Sequence, residues 1–197
     1  MDDYVESVKK GLKESRHYFG NAKKQERELW VLREFLSYLP IAINDAGITA
    51  SAQEPHDVFY EQHGFQVKEV LSEGRLRGKE YADKVNAISE ETKPDELFEP
   101  YTPIHIPLQE ALPRVVSELA RHREEKYKNQ TSEIDVLVYL NLSDTTYTDE
   151  DVTYIQDEFS KWRSVSLVSN NCAIVLSCNN ESNSLLSPLV GKLYVKN

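Results

Sequence analysis

In the stretch EPHDVFYEQHGFQVKEVLSEG, residues 54–74, three polar residues stand where a buried strand would carry apolar ones. Asp57 opens one apolar run, and Gln66 and Lys68 interrupt the next. Read as strands, Asp57–Glu61 and Phe65–Leu71 flank Gln62-His63-Gly64, a connection with the length and composition of a hairpin turn. Strand side chains repeat every two residues, so Gln66 and Lys68 share a face, and regular antiparallel pairing brings Asp57 within reach of it. An acid, an amide and an ammonium then converge. Burying such groups is unfavourable unless they are paired or serve a function. Binding a hard divalent cation is one such function. Mg²⁺ takes oxygen ligands, which Asp57 offers as carboxylate, Gln66 as amide oxygen and Val67 as main-chain carbonyl. Lys68 could then orient or help deprotonate an attacking water, or stabilise charge building on a phosphoryl oxygen. The plainer alternative is an ion pair between Asp57 and Lys68 at a strand end.

This pattern resembles the PD-(D/E)xK nucleases, the restriction-endonuclease-like fold, whose core runs helix, three strands, helix, strand (αβββαβ). Glu54-Pro55-His56-Asp57 stands for the first motif element and Gln66-Val67-Lys68 for the second. The resemblance implies a further glutamate from an upstream helix, Glu26 or Glu28 of KKQERELW, beside Asp57, Gln66 and Val67 at a Mg²⁺ or Mn²⁺ site. It implies a catalytic set of Asp57, Gln66, Lys68 and Glu26. Two departures stand out. His56 precedes Asp57 where the motif has proline, with Pro55 one place earlier, and Gln66 replaces an acid. Mrr-like restriction enzymes also carry glutamine there, but losing one negative ligand should weaken metal binding.

The chain is also similar to a bacterial family of comparable length described as endonucleases of unknown function. The likeness lies in NAKKQERELWVLREFL, in QEPHDVFYEQHGFQVKEVLSEGRLRGKEY and, more weakly, in WRSVSLV, which together reach most of the chain. These resemblances imply a metal-dependent hydrolysis of DNA phosphodiester bonds by an activated water. Many nucleases of this fold work as dimers, so a homodimer is a further expectation. The alternative is a catalytically inactive nuclease-fold protein that binds nucleic acid or a protein partner, which suits an acidic chain with glutamine at position 66. Arg75, Arg77 and Lys79 follow the QVKEV strand, and Lys23, Lys24 and Arg27 lie on the upstream helix, where both groups could grip phosphates. Against this stands the reading of a solvated, charged loop.

The elements that must position these groups are predicted by periodicity. Apolar residues at helical spacing from Asp3 to Ser37 predict two helices broken at Gly20-Asn21, the first (1–17) an extension of one nuclease-like domain, 1–197. Pro40 ends the second. After Gly74 a charged loop and an exposed helix run to Thr92-Lys93-Pro94, and Pro100, Pro103 and Pro107 mark an extended connector. Leu108, Leu112, Val115, Val116 and Leu119 describe an amphipathic helix reaching about Lys128. Ile134–Leu140, nearly continuous in large apolar residues, suits a central strand covered on both faces. The capping-box spacing of Thr148 and Asp151 predicts a short helix through Phe159, and Ser164–Val168 with Cys172–Cys178 a closing hairpin. The expected architecture is α/β, with a single mixed sheet flanked by helices.

Composition bounds the rest. The net charge of -10 and pI near 5.0 argue against a protein that coats nucleic acid non-specifically, so a polyanion must find a local basic face. No run approaches the roughly 20 apolar residues of a membrane span, and MDDYVESVKK lacks a signal peptide's apolar core, which leads to a cytoplasmic expectation with no membrane partner. Cys172 and Cys178 lie too far apart along one strand to bond. His56 and His63 lack a third zinc ligand, and the acids Asp144, Asp149, Glu150 and Asp151 lack the glycine and glutamate of a calcium loop. With 7 glycines and none clustered, a glycine-rich phosphate loop is absent, and no serine or cysteine nucleophile motif is present.

Overall fold

The computed structural model of the chain describes residues 2–88, 102–148, 157–179 and 183–196. Helix α1 (Asp2–Tyr18) gives way at Gly20 to a short 3-10 turn, and α2 (Lys24–Tyr38) follows. On α2 the residues Val31, Leu32, Phe35 and Leu36 form one buried stripe, the pattern of a helix laid on a sheet. Three strands come next: β1 (Ile48–Ala50), β2 (Val58–Tyr60) and β3 (His63–Leu71). Helix α3 (Arg77–Ala87) and strand β4 (Ile104–Pro107) precede α4 (Leu108–His122). The chain then forms β5 (Asp135–Asn141), β6 (Thr145–Thr148), β7 (Ser164–Val168), β8 (Cys172–Cys178) and β9 (Leu193–Val195).

Seven strands make one mixed sheet in the order β1-β2-β3-β5-β7-β8-β9, and β4 and β6 pair separately. β3, β5 and β7 run parallel at its centre, while β1, β2, β8 and β9 are antiparallel to their neighbours. The expected sheet flanked by helices is therefore present, and the succession α2, β1, β2, β3, α4, β5 runs helix, three strands, helix, strand with α3 and β4 inserted. On one face α2 meets Val58, Phe65, Leu137 and Val168; on the other α4 meets Val70, Val136, Val138 and Leu140. β5 thus buries alternate side chains in two cores, as its near-continuous apolar sequence predicts. Cys172 and Cys178 close the two ends of β8 without forming a disulfide.

Two boundaries differ from the sequence expectation. The hairpin turns at Glu61-Gln62, because Glu61 takes a positive φ of 53°, and His63 and Gly64 are drawn into β3. Helix α4 stops at His122 and continues as a π-helical turn, Arg123–Tyr127, which swings Tyr127 inward to 3% exposure. Thr148 ends strand β6, paired with Pro107, and the helix expected to open there lies, to position 156, outside the described residues, as do 89–101.

β3 approaches the preceding loop closely at Gly64, where a Cβ would sit 2.7 Å from both His56 Cγ and Phe59 Cε1. Gly64→Ala should therefore destabilise the protein by about 1–3 kcal/mol in chemical denaturation. Gly11→Ala, where a Cβ meets nothing within 4 Å, is the matched control and should not destabilise.

Candidate functional site

The pairing of β2 with β3 runs Tyr60–His63, Phe59–Gly64 and Val58–Phe65, then stops. β2 has three residues and β3 nine, so beyond Phe65 the outer edge of β3 has no partner strand. Asp57, one residue before β2 and 9% exposed, occupies this divergence. Its main chain still holds the hairpin together: its N–H donates to Phe65 O at 2.8 Å, and its carbonyl accepts from Ser51 N at 2.8 Å. Its carboxylate turns onto the open edge, where Oδ2 accepts from Val67 N at 2.9 Å and from the Gln66 side-chain amide. The Val67 carbonyl leaves a strand on the same side as its N–H, so it faces the same edge.

Groups reach this edge from both faces of the sheet. From α2, Lys24 Nζ lies 3.3 Å from Asp57 Oδ1 and 3.0 Å from Glu28 Oε1. From beyond α4, Tyr127 Oη donates to Gln66 Oε1 at 2.7 Å. Gln66, 2% exposed, is thereby satisfied at both ends of its amide, with its carbonyl oxygen directed to Tyr127. Lys68 lies on the same face of β3, its ammonium over the Tyr127 ring at 5.4 Å from the centroid. Lys126 stands 5.1 Å over the Tyr127 ring and bonds Glu54 at 2.8 Å.

The electrostatics are set by burial. Burial pushes the Glu28 carboxyl above its usual range, and Asp57 adds to the push while Lys24 opposes it. Burial likewise holds the Lys68 ammonium below its usual value, against the attraction of Asp57, with Lys126 and Lys24 lowering it further. For Lys24 the effect of burial is outweighed by its hydrogen bond to Glu28 and the charge of Asp57, which raise it. Two carboxylates are therefore held together by one ammonium. Both are hard oxygen donors, and with the Val67 carbonyl they suit Mg²⁺ or Mn²⁺. Among the described residues no three His, Cys, Asp or Glu side chains gather to hold a metal. Any such ion would accordingly rest on two carboxylates and neutral oxygens, in the place of the Lys24 ammonium.

Of the two candidate glutamates of α2, Glu28 is the one that lies beside Lys24 and Asp57. It is 9% exposed beside Asp57, whereas Glu26 is exposed and pairs with Lys23. The basic residues are largely engaged within the chain. Arg75 pairs with Glu80 at 3.0 Å, and Arg77 pairs with Glu69 at 2.9 Å and lies over the Phe19 ring. Arg27 donates to the carbonyls of Tyr18 and Gly20, joining α2 to the end of α1, and Lys79 is exposed. His56 packs on Phe59, away from His63 in β3. Sequence reasoning misses Tyr127, which a π turn delivers from 61 positions away with no local signal. It also assigns Lys24 to phosphate contact alone, although the spacing of four from Glu28 is a visible sign of their pairing.

Three comparisons with known proteins bear on this arrangement. The model of a family described as "Putative endonuclease, protein of unknown function (DUF1780)" matches residues 1–197, and the chain belongs to that family. No curated protein matches the chain. A solved structure of a protein of unknown function from Pseudomonas aeruginosa strain PAO1, labelled Monooxygenase Superfamily, is similar at a TM-score of 0.64 and 22% identity, covering 99% of this chain and 95% of that one. This second likeness is one of fold. No described helix is long and apolar enough to cross a membrane.

The Glu28 carboxyl gives a signed pH dependence. Its folded-state value lies above the ordinary 4.5, so its contribution to stability is complete below that value and is lost as pH rises through the raised one. The melting-temperature difference between the native chain and Glu28→Gln should therefore fall as buffer is stepped from about pH 4 to about pH 7.

Proposed function

We propose that the chain is a Mg²⁺- or Mn²⁺-dependent nuclease of PD-(D/E)xK type that hydrolyses DNA phosphodiester bonds with water as nucleophile. The observation that carries this reading is the meeting of Glu28 and Asp57 at the open edge of β3, with Lys68 on the adjoining face. The helix, three strands, helix, strand succession and the family description support it. Glu28, Asp57 and the Val67 carbonyl would hold the ion once Lys24 swings out, and Lys24, 59% exposed at its side chain, has room to do so. A bound ion would polarise a phosphoryl oxygen and lower the pKa of a water. Gln66 fixes the Asp57 carboxylate by its amide donor, and Tyr127 fixes Gln66. Lys68, held below the ordinary lysine value, gives up its proton more readily and is placed to assist attack by water.

Calorimetric titration with Mn²⁺ should give saturable binding by the native chain and none by Asp57→Ala. In the presence of Mg²⁺ or Mn²⁺, nicking of a supercoiled plasmid should fall about 10²-fold or more in Lys68→Ala. Nicking that survives both substitutions would sink the assignment.

A second reading has its own support: Lys24 already balances the two carboxylates, and Tyr127 already engages the Gln66 oxygen. On that reading the chain is a nuclease-fold protein that binds nucleic acid or a protein partner without cleaving. Lys24→Met separates the two. Loss of the ammonium leaves two carboxylates uncompensated, and a metal site should then bind Mn²⁺ more tightly than the native chain. The non-enzymatic reading expects no Mn²⁺ binding in either form.

A further inference from the structure

Beside the carboxylate site, on the α2 face of the sheet, lies a cleft of about 440 Å³ between α1, α2, α3, β3 and β5. Its volume is within the range of small-molecule sites, roughly 300–1,000 Å³. Three of its lining residues, Lys24, Glu28 and Val67, belong to the site just described, so the two spaces are continuous. The remaining wall is aromatic and cationic. Trp30 is 41% exposed and stands edge-to-face on Tyr139, ring centroids 5.2 Å apart. Phe19 stacks against Tyr81 and carries the Arg77 guanidinium 4.4 Å from its centroid.

Two features of this wall are unexplained by folding. An indole exposed to this extent gains little from burial, yet Trp30 lies on the same helix as the inward-facing Glu28, at the cleft. Arg77 has a side chain only 15% exposed, and its Nε is buried with no hydrogen-bond partner among the described residues. In charge, Lys24 pairs with Glu28 and Arg77 with Glu69, and Arg27 adds a further cation to the wall.

We propose that this cleft takes up an unpaired nucleobase, so that the chain acts on single-stranded or frayed nucleic acid rather than on intact duplex. The inference rests on the hydrolytic reading for its purpose, but not for its chemistry. Every base presents a π face to an aromatic platform such as Trp30, whatever its identity. Arg27 and Arg77, which line the cleft, favour the phosphate that accompanies the base. A cleft of this volume admits one nucleotide and excludes a duplex. Because Glu28 and Lys24 are common to both spaces, a base seated here brings its own backbone to the open edge of β3.

The chain has two tryptophans, and Trp162 is fully buried, so a ligand-induced change in intrinsic fluorescence reports Trp30. In EDTA, which removes any divalent ion, a short oligothymidylate should quench this signal, and a blunt duplex of equal length should bind more weakly. Anisotropy of the labelled oligonucleotide should show affinity about 5- to 150-fold lower in Trp30→Ala, partly restored in Trp30→Phe. Thermal melting of each variant checks that the fold is retained. Oligouridylate is the second arm: whichever strand binds more tightly identifies DNA or RNA as the source of the base. Unchanged affinity in a folded Trp30→Ala, absence of quenching, or preference for the duplex would overturn the proposal. The Mn²⁺ titration is read apart from this. Trp30-dependent oligonucleotide binding without a metal site removes the hydrolytic reading and leaves the cleft standing, and the converse result does the reverse.

Discussion

The early end of β2 is the constraint on which the site depends. Three residues of pairing leave most of β3 without an outer neighbour, and a partly buried main-chain donor at Val67 must find an acceptor or forfeit about 1–3 kcal/mol. The Asp57 carboxylate supplies that acceptor. It is therefore anchored by the backbone of the sheet itself, independently of any ligand, where side chains from both faces pass round an edge and meet. Preorganisation of this kind is what a site needs to hold charge without rearranging at each turnover.

Gln66 is best understood from the same geometry. The residue must donate to Asp57 and accept from Tyr127 at once, which an amide does and an ionised carboxylate cannot. A glutamate there would set a third negative group against Asp57 and Glu28, with Lys24 and Lys68 to balance them. The amide thus trades one negative ligand for a rigid link between the sheet edge and the turn after α4. Charge is kept where the ammonium of Lys24 can compensate it, and the polar chain from exposed Lys24 through buried Asp57 and Gln66 to Tyr127 leaves each inner group paired.

Much of this was legible in the sequence because it rests on local periodicity. The two-residue alternation of β3 placed Gln66 and Lys68 on one face, the apolar run at Ile134–Leu140 announced a strand between two cores, and the stripe on α2 fixed its buried side. The choice between Glu26 and Glu28 was not legible, because both lie beside Leu29 and Trp30 and only the position of the sheet edge distinguishes them. Tyr127 was hidden for a different reason. A helical reading carried α4 on to Lys128, whereas the π turn changes the direction of the last side chains by inserting an extra residue per turn.

The sheet's outer strands have a consequence for how molecules of this protein meet one another. β1 and β9, at its two ends, are three residues each, and the longer unpaired stretch of β3 is occupied at Val67 by Asp57 and followed by the charged pair Lys68 and Glu69. Short edges and inward-turned charge deny a neighbouring chain the run of vacant main-chain groups that strand addition requires. The seven-stranded sheet is in this way protected against edge-to-edge aggregation.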